Sequence, residues 1–200
     1  MGDRTGIFAG DDPFALLRDW LEAARASEPN DPEAMALATV DAEGRPDLRV
    51  VLLKGIGAGG LSFYTNLRSR KARQLAQGHA AVVLHWKTLR RQVRARGPVG
   101  PVAEAESDAY FATRHPQSRL GAWASRQSEP LGSRQDLLDA VEEARARVGD
   151  DPPRPPHWGG FRLLPLEFEF WAEGAHRLHD RFRWSRGAAA APWDVCRLYP

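Results

Sequence analysis

Hydrophobic residues recur at helical spacing near the start of the chain. Asp12 and Pro13 are typical of a helix start, with aspartate at the N-cap and proline in the first turn. The apolar residues that follow on one helical face are Phe14, Leu17, Trp20, Leu21 and Ala24. We therefore expect a helix that packs this face against a sheet.

Most of the later apolar residues follow strand patterns instead. The sequence predicts strands at residues 36–40, 49–53, 61–66, 80–86, 91–99 and 193–199, and a long strand after residue 160 in which residues 166–171 alternate. Residues 50–53 form a continuous apolar run, which predicts a strand covered on both faces. A short helical turn is expected at residues 33–35, and longer helices at residues 104–114 and 133–148.

A short helix with cations in its first turn is predicted after the hairpin that ends near residue 66. Ser69 is a suitable N-cap for a helix over residues 70–77. Arg70 and Lys71 then lie where the helix dipole disfavours cations by about 0.3–1 kcal/mol each. A phosphate would reverse this effect, because free N–H groups at a helix start favour anions. Spacing alone leaves both a solvated pair of cations and an anion site open.

A second group of candidates lies on and after the helix predicted at residues 104–114. Tyr110 and Arg114 are four residues apart and share a helical face, and Ser118 follows closely. A phenol, a guanidinium and a hydroxyl together can bind an oxyanion, because the arginine donors match phosphate geometry. An ordinary tyrosine–arginine surface pair has the same spacing, so this alternative also stays open.

Composition and charge limit the possible functions. The chain has 200 residues, 42% hydrophobic and 27% charged, and a formal net charge of +2, which indicates a globular protein without general affinity for nucleic acid. We expect a single domain over residues 1–200 with residues 1–11 flexible. Cys196 is the single cysteine, and we find neither a signal sequence nor an apolar membrane span, which favours the cytoplasm. His176 and His179 lack an evident third ligand, so no metal site is expected.

Short motifs spread along the chain give a more specific indication. They are Arg49-Val-Val-Leu-Leu-Lys54, Phe63-Tyr-Thr-Asn66, Ser69-Arg-Lys71, Arg91-Gln-Val93, Leu120-Gly-Ala-Trp123, Gln127-Ser128, Trp158-Gly-Gly-Phe161, Glu169-Phe-Trp171 and Arg177-Leu-His-Asp-Arg181. With these motifs in this order, residues 12–200 resemble the pyridoxine/pyridoxamine 5′-phosphate oxidase family. The resemblance implies a mainly β fold with flanking helices, an FMN-binding split β-barrel that forms a homodimer with FMN at the subunit interface. It also implies that residues 160–200 carry dimerisation and substrate binding.

The resemblance also implies roles for individual residues. FMN would be bound by Arg49, Val50, Val51, Leu52, Leu53, Lys54, Tyr64, Thr65, Arg70, Lys71, Gln92, Gln127, Ser128, Trp171 and Arg181. The substrate would be bound by Lys54, Tyr110, Arg114, Ser118, Arg177, Leu178 and His179, of which Arg177 and His179 would be catalytic. The implied reaction oxidises pyridoxine or pyridoxamine 5′-phosphate by hydride transfer from C4′ to flavin N5, with O2 as acceptor.

Two alternatives remain at this stage. A related FMN oxidase of secondary metabolism, of the phenazine type, would share the barrel and the cofactor site. The joint presence of Tyr110, Arg114, Ser118 and the segment from Arg177 to His179 favours the vitamin B6 substrates over it. A non-enzymatic binder of flavin or pyridoxal phosphate would use the same groove without turnover. The short segment before Asp12 also lacks the arginine-rich lid of some relatives, which leaves closure of the site open.

Overall fold

The computed structural model describes residues 4–57 and 59–200. Its helices are α1 (Pro13–Ser27), α2 (Arg70–Leu75), α3 (Glu104–Ala112), α4 (Pro116–Ala124) and α5 (Arg134–Val148), with short 3-10 helices at Gly6–Phe8 and Ala175–Arg177. Its strands are β1 (Ala34–Val40), β2 (Pro46–Leu52), β3 (Gly55–Gly57), β4 (Gly60–Asn66), β5 (His79–Trp86), β6 (Arg91–Pro101), β7 (Trp158–Leu163), β8 (Glu167–Ala172), β9 (Asp180–Ser185) and β10 (Asp194–Leu198). No helix in the described ranges has both the length and the apolar composition needed to cross a membrane.

The strands pair antiparallel and form a curled half-barrel. The longer path has the strand order β10-β9-β8-β6-β5-β1-β2, while β4 pairs with β3 and β7. Strand β6 connects the two parts, because its residues 91–96 pair with β8 and its residues 99–101 pair with β7. The prediction of a mainly β fold with flanking helices is confirmed.

Helix α1 covers the inner face of the sheet, as its apolar spacing predicts. Asp12 caps the helix by accepting a hydrogen bond from the Phe14 backbone N–H. The ring centroids of Phe14 and Phe168 are 5.1 Å apart, and those of Trp20 and Phe170 are 5.2 Å apart. Edge-to-face contacts at such distances stabilise aromatic pairs beyond the area that they bury.

The prediction for residues 1–11 lies partly outside the described residues. In the described part, the Phe8 ring packs 5.4 Å from that of Trp20 and 4.9 Å from that of Phe182. Phe8 is buried, so this segment contributes a side chain to the hydrophobic core.

The outer face of the sheet differs from the prediction at β2. This strand ends the strand order, and Leu48 and Val50 are 63% and 66% exposed. The expectation that residues 50–53 are covered on both faces is therefore wrong for the single chain, although Leu53 itself is buried. The strand has a partner, β1, along only one edge, and nothing in the described chain packs over its outer side chains.

Several element boundaries also need correction. The helical turn predicted at residues 33–35 is wrong, because Ala34 already pairs with Leu52 in the sheet. Pro116 does not only end a helix; it begins α4, where it occupies the first turn and His115 accepts a hydrogen bond from the Gln117 N–H. The long strand after residue 160 is two strands, β7 and β8, separated by a segment that contains Pro165.

Gly60 provides a test of the fold at the start of β4. Its φ is +124°, and a Cβ there would lie 2.1 Å from the Leu163 carbonyl oxygen of the paired strand β7. We expect Gly60→Ala to lower the free energy of unfolding by at least about 2 kcal/mol in urea denaturation at fixed protein concentration. Gly57→Ala is the matched control in the same hairpin, since a Cβ there meets nothing within 4 Å. Equal stability of the two variants would contradict this account.

Candidate active site

A cleft of about 520 Å³ lies where β2, β4, α3 and α4 meet. It brings together many of the residues predicted to bind cofactor or substrate: Val50, Val51, Leu52, Lys54, Tyr64, Thr65, Lys71, Tyr110, Arg114, Ser118 and Gln127. Its other lining residues are Asn66, Gly121, Ala122, Ser125 and Trp158. Three cations line the cleft, and none of the described residues that line it is an aspartate or a glutamate. Such a charge distribution favours an anionic ligand.

Lys71 lies on one side of this cleft with only neutral hydrogen-bond partners among the described residues. Its Nζ donates to Gln127 Oε1 at 2.8 Å and to Thr65 Oγ1 at 3.1 Å. Burial lowers the pKa of Lys71, and the nearby Arg49 guanidinium lowers it further. An anion in the cleft would offset both effects, since it favours the protonated amine.

Arg70 is placed by the N-cap that the sequence predicts. Ser69 Oγ accepts from the Ala72 N–H, so α2 begins where expected, although it ends at Leu75 rather than at residue 77. The Arg70 backbone N–H donates to Ser128 Oγ at 3.2 Å, and Ser128 has a φ of +78°. The Arg70 side chain is 66% exposed and lies 3.3 Å from an oxygen of Asp47.

Arg49 points away from the cleft, into the junction of β1 and α2. Its Nη1 donates to the Leu37 carbonyl oxygen and to Thr39 Oγ1, and its Nη2 donates to Gln74 Oε1 and pairs with Asp47. The four Nη hydrogens therefore have partners inside the chain. In the described structure Arg49 anchors the strand that carries Val50 to Lys54 and does not itself line the cleft.

Tyr110 and Arg114 are supported by a stack of aromatic rings. The Tyr110 ring lies 4.1 Å from Tyr64 and 6.1 Å from Trp158, nearly parallel to both. The Arg114 guanidinium carbon lies 4.9 Å from the centroid of the Trp158 ring and 5.5 Å from that of Phe111. Such cation–π contacts fix the plane of a guanidinium. The helix predicted to reach residue 114 ends at Ala112, but Tyr110 and Arg114 line the same cleft as Ser118. Their role as an oxyanion site stays a prediction.

Arg114 also carries an unsatisfied donor. Its Nη1 is buried and has no hydrogen-bond partner among the described residues, and burial lowers the pKa of this arginine. Burial likewise raises the pKa of Tyr110, which keeps the phenol protonated as a donor. A buried donor without a partner is costly, so a ligand oxygen is the expected partner here.

The Tyr64 hydroxyl is directed toward helix α3. It donates to Glu106 Oε1 at 3.3 Å, and Glu106 in turn pairs with Arg162. Burial, together with the Glu106 carboxylate, raises the pKa of Tyr64 to about 12. Tyr64 therefore stays neutral at physiological pH.

The remaining predicted residues lie outside this cleft. Gln92, Trp171 and Arg181 are on the outer face of the sheet, where Trp171 pairs with Gln92 on one side and Arg181 on the other. Arg181 donates from Nε to Glu169 Oε1 at 3.0 Å and from Nη1 to the Tyr199 carbonyl oxygen at 2.9 Å. The single chain thus does not bring these residues to the cleft.

The turn that carries Arg177, Leu178 and His179 is a second separate group. Arg177 lines a cavity of about 710 Å³ together with Arg90 and Arg91, and Leu178 is 71% exposed. The His179 ring lies 4.7 Å from that of Trp171, and its Nδ1 accepts from the Gly174 N–H. The geometry therefore places the proton of neutral His179 on Nε2. His176 and Arg177 have φ of +55° and +68°, a strained backbone at the predicted catalytic residue.

Several side chains at these sites were not predicted. Trp158 packs against Arg114 and Tyr110. Asp47 and Gln74 contact Arg49, and Glu106 accepts a hydrogen bond from Tyr64. Trp158 begins the motif Trp158-Gly-Gly-Phe161, but the family resemblance implies no role for this residue. Asp47 and Gln74 are hydrogen-bonded to each other although they are 27 residues apart in the chain, and the sequence contains no local pattern that connects them.

Comparison with known proteins agrees with this geometry. The family model described as pyridoxamine 5′-phosphate oxidase matches residues 21–147, and the model described as the pyridoxine 5′-phosphate oxidase C-terminal dimerisation region matches residues 158–200. The chain is 59% identical to a pyridoxine/pyridoxamine 5′-phosphate oxidase of Cereibacter sphaeroides over 99% of its length and 100% of that protein. It is 57% identical to the protein of that name from Jannaschia sp. over the full length of both.

Solved structures show the same fold. PhzG from Burkholderia lata, in complex with tetrahydrophenazine-1-carboxylic acid, has a TM-score of 0.89 and 35% identity over 96% of this chain and 94% of that one. A pyridoxamine 5′-phosphate oxidase-related, FMN binding protein from Nostoc punctiforme has a TM-score of 0.77 and 20% identity over 98% and 100% of the two chains. The predicted split-barrel fold is confirmed. The protein is an oxidoreductase, and its chain belongs to the pyridoxine/pyridoxamine 5′-phosphate oxidase family.

Proposed function

We propose that the chain is an FMN-dependent oxidase that converts pyridoxine 5′-phosphate and pyridoxamine 5′-phosphate to pyridoxal 5′-phosphate. The observation that carries this proposal is the cleft lined by Lys54, Lys71 and Arg114 and by none of the described carboxylates. Two phosphorylated molecules, cofactor and substrate, supply the anions that these cations lack. The identity of the named relatives supports this choice of ligands.

The residues around Lys71 fit the phosphate of FMN. Lys71 and Thr65 offer donors on the cleft wall, and the exposed Arg70 side chain can turn toward the same place. The Lys71 amine donates a hydrogen bond to the neutral Gln127 Oε1. A phosphate oxygen would replace Gln127 Oε1 as the acceptor of this hydrogen bond. Arg49 fixes the strand beneath the flavin, whose ring system would lie along residues 50–54.

The residues around Arg114 fit the phosphate of the substrate. Arg114 has a buried free donor, Tyr110 is a protonated phenol, and Ser118 and Lys54 line the same cleft. The Trp158 ring holds the guanidinium plane, which suits a ligand with several oxygens. Phosphate binding at a distance from the reacting carbon orients the substrate, which can contribute much of a rate enhancement.

The rest of the site is contributed by a second copy of the chain in this proposal. Leu48, Val50 and Leu52 expose an apolar stripe on the terminal strand of the sheet, and a second copy would bury it. The C-terminal dimerisation region matched at residues 158–200 contains Trp171, Arg177, His179 and Arg181. A two-fold dimer would bring these residues of one chain to the cleft of the other, with residues 160–200 serving both dimerisation and substrate binding in a single FMN-binding domain.

Arg177 and His179 act on the substrate ring in the proposed reaction. When bound, FMN would supply the redox chemistry: it would take a hydride from C4′ and pass both electrons, with two protons that the substrate gives up, to O2 to form H2O2, while water would release ammonia from the amine substrate. Arg177 packs over the pyridine ring and holds it in place. His179, with its Nδ1 fixed by the Gly174 N–H, presents Nε2 toward the ring substituents.

A phenazine-type substrate is the second candidate, because the PhzG complex is similar over nearly the whole chain. The carboxylate of a phenazine-type acid offers Tyr110, Arg114 and Ser118 two oxygens and one negative charge, whereas a phosphate monoester offers three oxygens and up to two charges. The three donor side chains, with Lys54 in the same cleft, therefore favour the phosphorylated substrates.

Anaerobic mixing tests the proposed reaction directly. The FMN-loaded protein is mixed with pyridoxine 5′-phosphate while the flavin absorbance is recorded. We expect bleaching that reverses when air is admitted, with aldehyde and peroxide formed in equal amounts. Pyridoxine without phosphate is the matched control, and it should react at least about a hundredfold more slowly at equal concentration. A bound flavin that stays oxidised with the phosphorylated substrate would contradict the proposal.

Arg177→Lys tests the catalytic assignment. Lysine keeps the charge but lacks the planar guanidinium, so we expect kcat to fall at least about a hundredfold while the Kd of FMN changes by less than about threefold. Arg90→Lys is the control, because Arg90 lines the same cavity and its guanidinium pairs with the exposed Glu173 side chain. Equal losses of turnover and FMN binding in Arg177→Lys would refute the assignment.

Leu48→Asp tests the proposed dimer. A charge placed in the apolar stripe faces its own copy across a two-fold axis, so we expect the dimer dissociation constant to rise at least about tenfold. Analytical ultracentrifugation measures this change, and FMN retention should fall with it. Leu138→Asp, at a 45% exposed position on α5, is the control for an added charge. A Leu48→Asp variant that dimerises like the parent would exclude this face as the interface.

A further inference from the structure

The carboxylate of Asp47 contacts two of the arginines that are predicted to hold FMN. Its Oδ2 is 2.8 Å from Arg49 Nη2 and 3.3 Å from Arg70 Nε, and it accepts a hydrogen bond from Gln74 Nε2 at 3.0 Å. The hydrogen bond from Gln74 lowers the pKa of Asp47, and the charges of Arg49 and Arg70 lower it further. A fixed negative charge next to a phosphate site opposes binding of the phosphate, so its presence there requires an explanation.

Arg49 does not depend on this carboxylate for its position. Its guanidinium also donates to the Leu37 carbonyl oxygen at 3.0 Å, to Thr39 Oγ1 at 2.6 Å and to Gln74 Oε1 at 2.9 Å. Thr39 and Gln74 are each only 4% exposed, and they bond to each other as well. Loss of the charge on Asp47 would therefore leave Arg49 in place.

Arg70 is held much more weakly. Its side chain is 66% exposed, and Asp47 is its only ion-pair partner among the described residues. An exposed ion pair of this kind contributes little stability. Arg70 can therefore leave Asp47 for a ligand phosphate, and the carboxylate and the phosphate compete for the same guanidinium.

We propose that Asp47 is an internal anion that limits the affinity of the site for the phosphate of FMN. It neutralises Arg70 and part of Arg49 when phosphate is absent, and it repels the phosphate dianion when the cofactor binds. This inference rests on the proposed FMN site and adds a residue that determines how strongly the site distinguishes FMN from flavins without phosphate. A single charge acting over roughly 6–8 Å near a protein surface changes an affinity by about three- to tenfold.

Asp47→Asn tests the inference, because asparagine keeps the shape and an acceptor for Gln74 while it removes the charge. The full chain, freed of flavin, is titrated with FMN and with riboflavin. We expect the Kd of FMN to fall about three- to tenfold, with less than about a twofold change for riboflavin. The gain for FMN should shrink as salt is raised, because salt screens the repulsion.

Glu43→Gln is the matched control for a lost negative charge, since Glu43 lies in the turn before β2, is 63% exposed and forms an ion pair with Arg45. We expect its FMN affinity to equal that of the parent. Asp47→Ser is a second variant that removes the same charge with a smaller side chain, and it should give the same selective gain.

The outcomes separate this inference from the proposed function. If the parent binds FMN and neither Asp47 variant binds it more tightly than Glu43→Gln does, the inference is wrong and the FMN site stands. An equal gain for riboflavin also overturns it, because Asp47 would then act on the flavin ring or on the fold. If the parent binds neither flavin, the proposed function fails and the inference fails with it.

Discussion

The fold depends on the backbone hydrogen bonds of β6, which belongs to both parts of the sheet. Its first half lies between β5 and β8, and its end pairs with β7. At Gly97 the chain passes so close to the next segment that a Cβ would lie 2.1 Å from the Leu164 carbonyl oxygen. This position lies between the part of β6 that pairs with β8 and the part that pairs with β7. A side chain is therefore excluded at the place where the strand changes its partner.

The distribution of counter-charges distinguishes two kinds of arginine in this protein. On the outer face of the sheet, Arg94 and Arg181 both contact Glu169. Glu169 is 5% exposed, although its place in an alternating strand predicts an exposed side chain. In the cleft, Arg114 packs on Trp158 and has no carboxylate among its described contacts. A buried cation that has no ionic partner is costly unless a ligand provides one. The first kind maintains the structure of the sheet face, and the second kind is available for binding.

Local patterns in the sequence were sufficient for much of the fold and for part of the site. The caps at Asp12 and Ser69 act over three residues or fewer, and both form as predicted. Local patterns could not predict that Val50 is exposed in the single chain. A continuous apolar run indicates that a strand is covered, but it does not indicate whether the same chain or a second chain covers it. The motif resemblance named many of the residues that line the cleft, but it could not show that Arg49 faces away from it. That orientation depends on Gln74, 25 residues away, and on the register of β1 with β2.

In the proposed dimer, assembly and cofactor binding are thermodynamically linked. The cleft of one chain holds the residues that we propose bind phosphate, whereas the turn with Arg177 lies on another surface of the chain. Two successive residues of this turn, His176 and Arg177, have positive φ, which costs on the order of 1–3 kcal/mol each, and such strain persists only where the surroundings fix the backbone. Gly174 permits the turn, since a Cβ there would meet the Leu178 carbonyl oxygen at 1.9 Å. A ligand that contacts both chains binds the dimer and not the monomer, so it favours assembly by mass action, and assembly in turn raises the affinity for the ligand. The strained turn then gains its ligand contacts only in the assembled state, and the dimer becomes a condition for catalysis as well as for stability.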